Sequence, residues 1–336
     1  MGKLRVAVIG GGSIAQIAHL PVLKKLDDVE VVAICDRDKS KVNVLSEKFD
    51  IPNWYFTIED LFKNEILDAV HICTTNLYHF PMSYLALNKG VHVLVEKPIA
   101  INAENANNIL KIANEKKRVL MVGMHNRFRD DVQTLLEFIR NDELGDIYYI
   151  KAGWLKRWSK APMQSWKRQL NYAGGGVLVD IGSQLIDLAL FLIGLPKIQS
   201  VRLYDYTIDP NSEVEEAALA VIETETHASI TVEISWRMHM ESDMIYTHIF
   251  GKKGSAYLNP LRIQKELHGN LVNVTPVISE KSTDRYKKAY EAEIKHFYNV
   301  IRKQDSNMSS AEDALYVMRI LDALYQSAKE KKEIHL

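Results

Sequence analysis

Two periodicities divide the chain. Over residues 5–123, short apolar runs of strand length alternate with stretches whose apolar residues recur at helical spacing. Residues 5–9 read as a buried strand, followed by a glycine-rich turn and a helical pattern through Leu26. The run VEVVAICD is a second strand. Beyond it, 41–49 reads as a helix, 54–56 as a short strand, 58–63 as a short helix, 68–75 as a strand and 80–89 as a helix closed by Gly90. Residues 92–96 then read as a strand, 103–116 as a helix and 118–123 as a strand. Strands separated by helices predict a parallel, doubly wound sheet. After about residue 127 the pattern changes. A helix at 130–140 and a strand at 146–156 lead through a loop rich in Trp, Lys and Arg into the helical run GGGVLVDIGSQLIDL. Strand-like runs follow at 198–208, 217–224, 228–238, 244–251, 255–259, 262–269 and 271–278. Their short connections predict a predominantly antiparallel sheet, with Gly269-Asn270 placed for a hairpin turn. Two helices, 290–302 and 311–329, close the chain, the second opening on a Ser309-x-x-Glu312 capping box. The expected fold class is α/β: a doubly wound parallel domain over 1–123 and an α+β domain over 124–336, with the closing helices packing near the first.

Composition narrows this picture only at its edges. A length of 336 residues suits two domains, and 47% hydrophobic with 25% charged residues is the profile of a soluble globular protein. A formal net charge of -1 gives no global pull toward nucleic acid or a membrane surface, so neither is an expected partner. The opening apolar run is too short for a signal peptide, and no other run reads as a membrane span, so the expected location is cytoplasmic. Cys35 and Cys73 lie in apolar strand runs and are expected to be buried thiols. The histidines at 92, 248, 296 and 335 are scattered, with no HExxH or CxxC spacing, so no metal is expected.

The chemistry concentrates at strand ends. Gly10-x-Gly12-x-x-Ala15 sits between a strand and a helix, where a dinucleotide fingerprint must sit. Gly10 permits the tight turn, Gly12 lets a pyrophosphate approach the backbone, and Ala15 lets helix and strand pack closely. The phosphates would meet free N–H groups at the helix N-terminus. Asp36, closing the second strand, is placed to accept from ribose hydroxyls, which favours NAD; the neighbouring Arg37 leaves NADP open. The ligand edge of such a sheet also carries Thr75-Asn76, Glu96-Lys97-Pro98 and His125-Asn126-Arg127. Lys97 is a general acid/base candidate, with Pro98 restricting its backbone; the alternative is a surface lysine paired with Glu96. In the second half, Asp180, Gln184 and Asp187 fall at i, i+4 and i+7 of one helical run, with Asp180 the catalytic candidate and Asp187 expected to be structural. Trp154, Trp158 and Trp166 interleave with Lys156, Arg157, Lys160, Lys167 and Arg168, either as a substrate rim or as a packed interface loop.

The GxGxxA strand–helix, EKP after the fifth strand and GGGxLxDxGxxxxDxxxxL in the second half together resemble the Gfo/Idh/MocA oxidoreductase family, which includes glucose–fructose oxidoreductase and inositol dehydrogenase. The resemblance covers essentially the whole chain. It implies a Rossmann domain followed by an open, predominantly antiparallel sheet that serves as a homodimer or homotetramer interface. It also implies hydride transfer between NAD(P) and a hydroxyl of a sugar, cyclitol or related polyol. Cofactor contacts are expected from Gly10, Gly12, Ser13, Ile14, Asp36, Arg37, Thr74, Thr75, Asn76, His79, Glu96, Lys97, Asn126 and Trp166. Substrate contacts are expected from Lys97, Arg157, Arg168, Asp180 and Gln184, and catalytic roles from Lys97, Asp180 and Gln184.

Gln184 departs from the pattern, because many members carry histidine there, in a proton-handling trio with the lysine and aspartate. An amide cannot take the hydroxyl proton. Three readings compete. Lys97 alone is the acid/base, tuned by Asp180; or Tyr172, His125 or His239 replaces the histidine; or the protein binds ligand without turnover. Retention of both Lys97 and Asp180 favours the first. A redox-cycling enzyme that retains its NAD, cleaving or epimerising a glycoside, is a further alternative.

Overall fold

The computed structural model describes residues 2–159, 165–277 and 282–336; Lys160 of the Trp-rich loop and the last residue of the 271–278 run lie outside them. The chain forms two compact units, residues 1–125 with 286–315, and residues 126–285 with 316–336.

In the first unit the apolar runs become strands with helices between them. β1 (Leu4–Ile9) leads through a π-helical turn, Ala15–His19, into the short α1 (Leu20–Leu23). β2 (Val29–Cys35), α2 (Lys39–Lys48), β3 (Asn53–Tyr55), α3 (Ile58–Asn64), β4 (Ala69–Ile72) and α4 (Asn76–Asn88) follow. β5 (His92–Glu96), α5 (Ala103–Lys116) and β6 (Leu120–Gly123) complete the alternation. Side-chain caps start several of these: Asp38, Thr57 and Asn102 each accept the backbone N–H three residues on. α4 begins four residues earlier than the apolar spacing predicts and carries Pro81 inside it. The strands pair in parallel in the order β3-β2-β1-β4-β5-β6, and Val6–Val8 and Val93–Val95 are fully buried. The order reverses between β1 and β4, the switch point at which such sheets bind ligands beyond their carboxyl ends.

The second unit opens with α6 (Asp130–Arg140) and β7 (Ile147–Arg157). A 3-10 turn (Ser165–Arg168), α7 (Leu170–Ala173), a π-helical turn (Leu178–Gly182) and α8 (Ser183–Leu192) follow. β8 (Ile198–Tyr206), β9 (Ala217–Thr224), β10 (Ser229–Met238), β11 (Met244–Gly251), β12 (Gly254–Leu258), β13 (Arg262–Leu267) and β14 (Asn270–Asn273) then form the sheet. α9 (Ser282–Ile301) and α10 (Ala311–Glu330), of which residues 286–315 belong to the first unit, precede β15 (Ile334–His335). The strand order is β14-β13-β12-β11-β7-β10-β9-β8-β15; all neighbours are antiparallel except β7 and β10. α8 packs on β7 and β10, over the face that alternation in β9 and β10 makes apolar. The opposite face carries Tyr149, Lys151, Tyr246, His248 and Tyr257, all partly exposed. Gly153 is required there: a Cβ would lie 2.4 Å from the Tyr246 ring.

Three local expectations shift. The hairpin between β13 and β14 turns on His268 and Gly269, both at positive φ, rather than on Gly269-Asn270. The cap of α10 is Ser310, which accepts from the Asp313 N–H; the Ser309 hydroxyl instead donates to the Val122 carbonyl. Finally, the helical stretch Leu170–Leu192 is apolar and long enough to cross a membrane, but 89% of that window is buried, as in a core helix.

Candidate functional site

The glycine turn after β1 shows why each position is what it is. Gly10 has φ +96°, and a Cβ there would lie 2.7 Å from the Cys73 carbonyl. At Gly12 a Cβ would meet only the Cys73 oxygen, at 3.7 Å, so the space in front of this backbone is open. Ser13 is exposed and Ile14 half-buried at the start of the helical turn, while Ala15 is fully buried against the sheet. Asp36 reaches back to this turn: its carboxylate accepts from the Gly11 N–H at 2.7 Å and the Asp38 N–H at 3.0 Å, with Lys41 Nζ 3.6 Å away. Arg37 turns elsewhere, stacking over the Tyr78 ring at 4.6 Å and donating to its hydroxyl. An open phosphate cradle and a carboxylate at the second strand's end fit NAD; a 2′-phosphate would meet the Asp36 charge.

Thr74 and Thr75 carry the chain from β4 into α4, where Thr75 is the N-cap and Asn76, buried, the first helical residue. His79 is buried too. Its Nδ1 lies 2.7 Å from the Pro98 carbonyl and its Nε2 3.1 Å from that of Thr74. It braces two loops of the ligand edge rather than presenting its ring to solvent.

β5 ends at Glu96, and Lys97 follows, half-buried, before a cis peptide bond to Pro98. Glu96 turns inward to His19, 2.9 Å away. Burial pushes its carboxyl up, but the His19 hydrogen bond and the charges of His19, His125 and Lys97 hold it below the usual carboxylate range. Gly123 on β6 leaves room for it, since a Cβ there would stand 3.3 Å from the carboxyl atoms. His125 stacks on Tyr290 at 4.4 Å and is buried.

In the second unit the polar stripe of GGGVLVDIGSQLIDL divides. Asp180 lies in the π-helical turn, an inserted widening common at functional sites. Both its oxygens accept from Lys167 Nζ at 3.0 Å, and Oδ2 also accepts from Trp236 Nε1 at 3.0 Å. Gln184 is buried and donates its amide N–H to the Asp180 backbone carbonyl at 3.0 Å. Asp187 points into the core, where Arg127 grips it through Nε at 2.9 Å and Nη2 at 2.6 Å, both residues being almost fully buried. The glycines are held from behind: Glu215 accepts from the Gly176 and Leu178 N–H groups and from the Tyr325 hydroxyl. Burial raises the Glu215 carboxyl above its ordinary value.

The remaining expected residues are less concentrated. Trp166 is half-buried beneath Lys167, and Asn126 lies half-buried in a 3-10 turn, His125–Phe128. Arg168 is ion-paired with Asp209 at 2.6 Å, and Arg157 is exposed, its backbone N–H bonded to Asp243. Of the residues weighed as replacements for a histidine, Tyr172 is exposed and His239 stacks against Trp158. Sequence reasoning missed Lys167 as the partner of Asp180, although the segment containing it was singled out. It missed Trp236, Glu215 and the Arg127–Asp187 pair outright, because no spacing along the chain marks them. Among the described residues, no three His, Cys, Asp or Glu side chains gather as a metal site.

The chain matches two family models: the oxidoreductase family NAD-binding Rossmann fold over residues 4–124, and the same family's C-terminal alpha/beta domain over residues 137–336. It is 29% identical to D-glucoside 3-dehydrogenase of Escherichia coli K12, across 99% of this chain and 97% of the relative. It is 23% identical to myo-inositol 2-dehydrogenase of Thermotoga maritima, across 99% and 98%. Levoglucosan dehydrogenase, solved in complex with NADH and L-sorbose, superposes with a TM-score of 0.90 at 22% identity, covering 100% of this chain and 99% of that one. With both family models matched in order and the glycine turn fitting the dinucleotide, the chain belongs to the Gfo/Idh/MocA family of NAD-dependent oxidoreductases.

Proposed function

We propose that this protein is a dehydrogenase that interconverts a hydroxyl and a keto group on a sugar, cyclitol or sugar derivative, with Lys97 as the acid/base. The observation that carries the reading is the place of Lys97: it follows β5 at the ligand edge of a sheet whose glycine turn and Asp36 fit NAD. The substrate class rests on the relatives, named for a glucoside, an inositol and levoglucosan.

When bound, the nicotinamide supplies the hydride acceptor. The protein's own groups do the rest. The N–H groups after Gly12 receive the pyrophosphate, and Asp36 accepts from the ribose hydroxyls. Lys97 Nζ takes the hydroxyl proton as the C–H bond breaks, and returns it in the reverse direction. Asp180, held by Lys167 and Trp236, accepts from a substrate hydroxyl and thereby orients the ring. Gln184 contributes orientation alone, since an amide carries no transferable proton. Asp36 favours NAD over NADP.

The test is a screen of sugars, cyclitols and sugar acids with both cofactors, followed by deuterium transfer from the substrate C–H to the cofactor. Lys97→Met should lower kcat by about a hundredfold or more while leaving NADH binding intact. Undiminished turnover in that variant would remove Lys97 from the chemistry, and ligand binding without deuterium transfer would favour a sensing role. We further propose that the aromatic face around Tyr246 pairs with a second copy to give a homodimer or homotetramer. Light scattering should then show an oligomer for the unaltered chain and a smaller species for Tyr246→Glu.

A further inference from the structure

Four buried polar side chains of the first unit join end to end, and no step above uses them. His19, from the π-helical turn behind the glycines, has Nε2 2.9 Å from Glu96 Oε1 and Nδ1 2.8 Å from His71 Nδ1. His71, on β4, has Nε2 2.7 Å from the hydroxyl of Tyr298 on α9. His19, His71 and Tyr298 are at most 1% exposed, and Glu96 is 6% exposed.

Every contact in the series can be served at once. Burial pushes the Tyr298 phenol up and the His71 imidazole down, so Tyr298 keeps its proton and His71 carries only one N–H. His71 then donates through one ring nitrogen and accepts through the other, between the Tyr298 hydroxyl and His19 Nδ1. In either sense His19 Nε2–H donates to the Glu96 carboxylate. The series ends on the residue immediately before Lys97.

The residue immediately after Lys97 is held as well. His79 is buried between two carbonyls, and as a neutral ring it gives its single N–H to the closer, that of Pro98. Both chain neighbours of the lysine are therefore tied to buried groups, one through a side chain and one through its backbone. A lysine has four rotatable bonds, and tying down its neighbours fixes the root from which they all start.

We propose that His19 and His79 are positioning residues for Lys97: they anchor Glu96 and Pro98, and so aim the reacting amine. The proposal rests on the reading of Lys97 as acid/base. Neither histidine meets substrate, so their loss should fall on kcat rather than on KM.

The experiment compares His19→Leu, which removes the donor to Glu96, with His19→Gln, whose side-chain amide can stand where Nε2 stands. His19→Leu should lower kcat by about tenfold or more, with KM and the Kd for NADH within about twofold, and His19→Gln should recover most of the loss. Acylation of Lys97 by a lysine-selective reagent, read by mass spectrometry on the cofactor-free protein against the exposed Lys89, should change in the Leu variant and revert in the Gln variant. Unchanged kcat and unchanged labelling in a folded His19→Leu protein would overturn the proposal. If that variant does not fold, His19→Asn carries the test. Its shorter amide can keep the His71 contact but cannot reach Glu96, so anchoring requires kcat and labelling to change as for the Leu variant, and their retention overturns anchoring. If the unaltered protein turns over no polyol, the function reading fails while the labelling comparison still decides whether Lys97 is aimed.

Discussion

The two glycines of the fingerprint do different jobs, and the difference is measurable. Gly10 is required by the fold: an alanine there combines a positive φ with a Cβ pressed onto the Cys73 carbonyl. Gly10→Ala should therefore cost about 1–3 kcal/mol of stability. Gly12 has no such constraint, so Gly12→Ala should leave stability within about 0.5 kcal/mol. It should still weaken NADH binding, because the new methyl group occupies the space the pyrophosphate needs. Thermal melting with NADH titration by fluorescence separates the two, and equal effects on both readouts would refute the division of roles. These positions are legible in the sequence because their reason is local. Lys167 is not: its bond to Asp180 spans thirteen residues, and its neighbour Arg168 pairs with Asp209 instead.

At the scale of elements, most helices and strands lie within a few residues of where periodicity puts them, and the misses have local causes. Periodicity cannot show a π-helical turn, since one inserted residue leaves the apolar positions apolar. Yet such turns lie behind the glycines and at Asp180. A helical wheel also cannot tell a site carboxylate from a core one. Asp187 belongs to the core, and its partner is Arg127, sixty residues earlier. Asp187→Ala leaves a buried guanidinium without its carboxylate and should cost about 3–5 kcal/mol, seen as a lowered midpoint of chemical denaturation. The double replacement Arg127→Met with Asp187→Leu should cost much less, because it removes both charges together. A double variant as unstable as the single one would mean that packing, rather than the stranded charge, sets the cost.

For the whole molecule, the doubly wound half was readable because alternation, glycine turn and strand-end acid agree on one architecture. The second sheet was readable as antiparallel but not in its order. The parallel pairing of β7 with β10 and the closing strand β15 are long-range choices that no local signal records. Acid stability is also a property of the whole. Burial and then the Arg118 charge lower His92 to about 4 from 6.5, and burial lowers His71 and His79 as well. Between the folded and unfolded values the unfolded chain binds more protons, so stability rises with pH across that window and is lost as pH falls from about 6.5 to about 4. The melting temperature should fall over this range. His92→Asn, which keeps an acceptor for the Val119 N–H but cannot titrate, should flatten the fall. An unchanged slope would place the acid sensitivity elsewhere.

The hydrogen bond from Gln184 to its own helix has a kinetic corollary. With the amide nitrogen occupied by the Asp180 carbonyl, the side chain turns its oxygen the other way, an acceptor at every pH. An imidazole at this place would switch between accepting and donating near neutrality and add a limb to the rate profile. Gln184→His should therefore add an ionisation near neutrality to the acid limb that Lys97 imposes, and a pH–rate profile of unchanged shape would separate this side chain from proton handling.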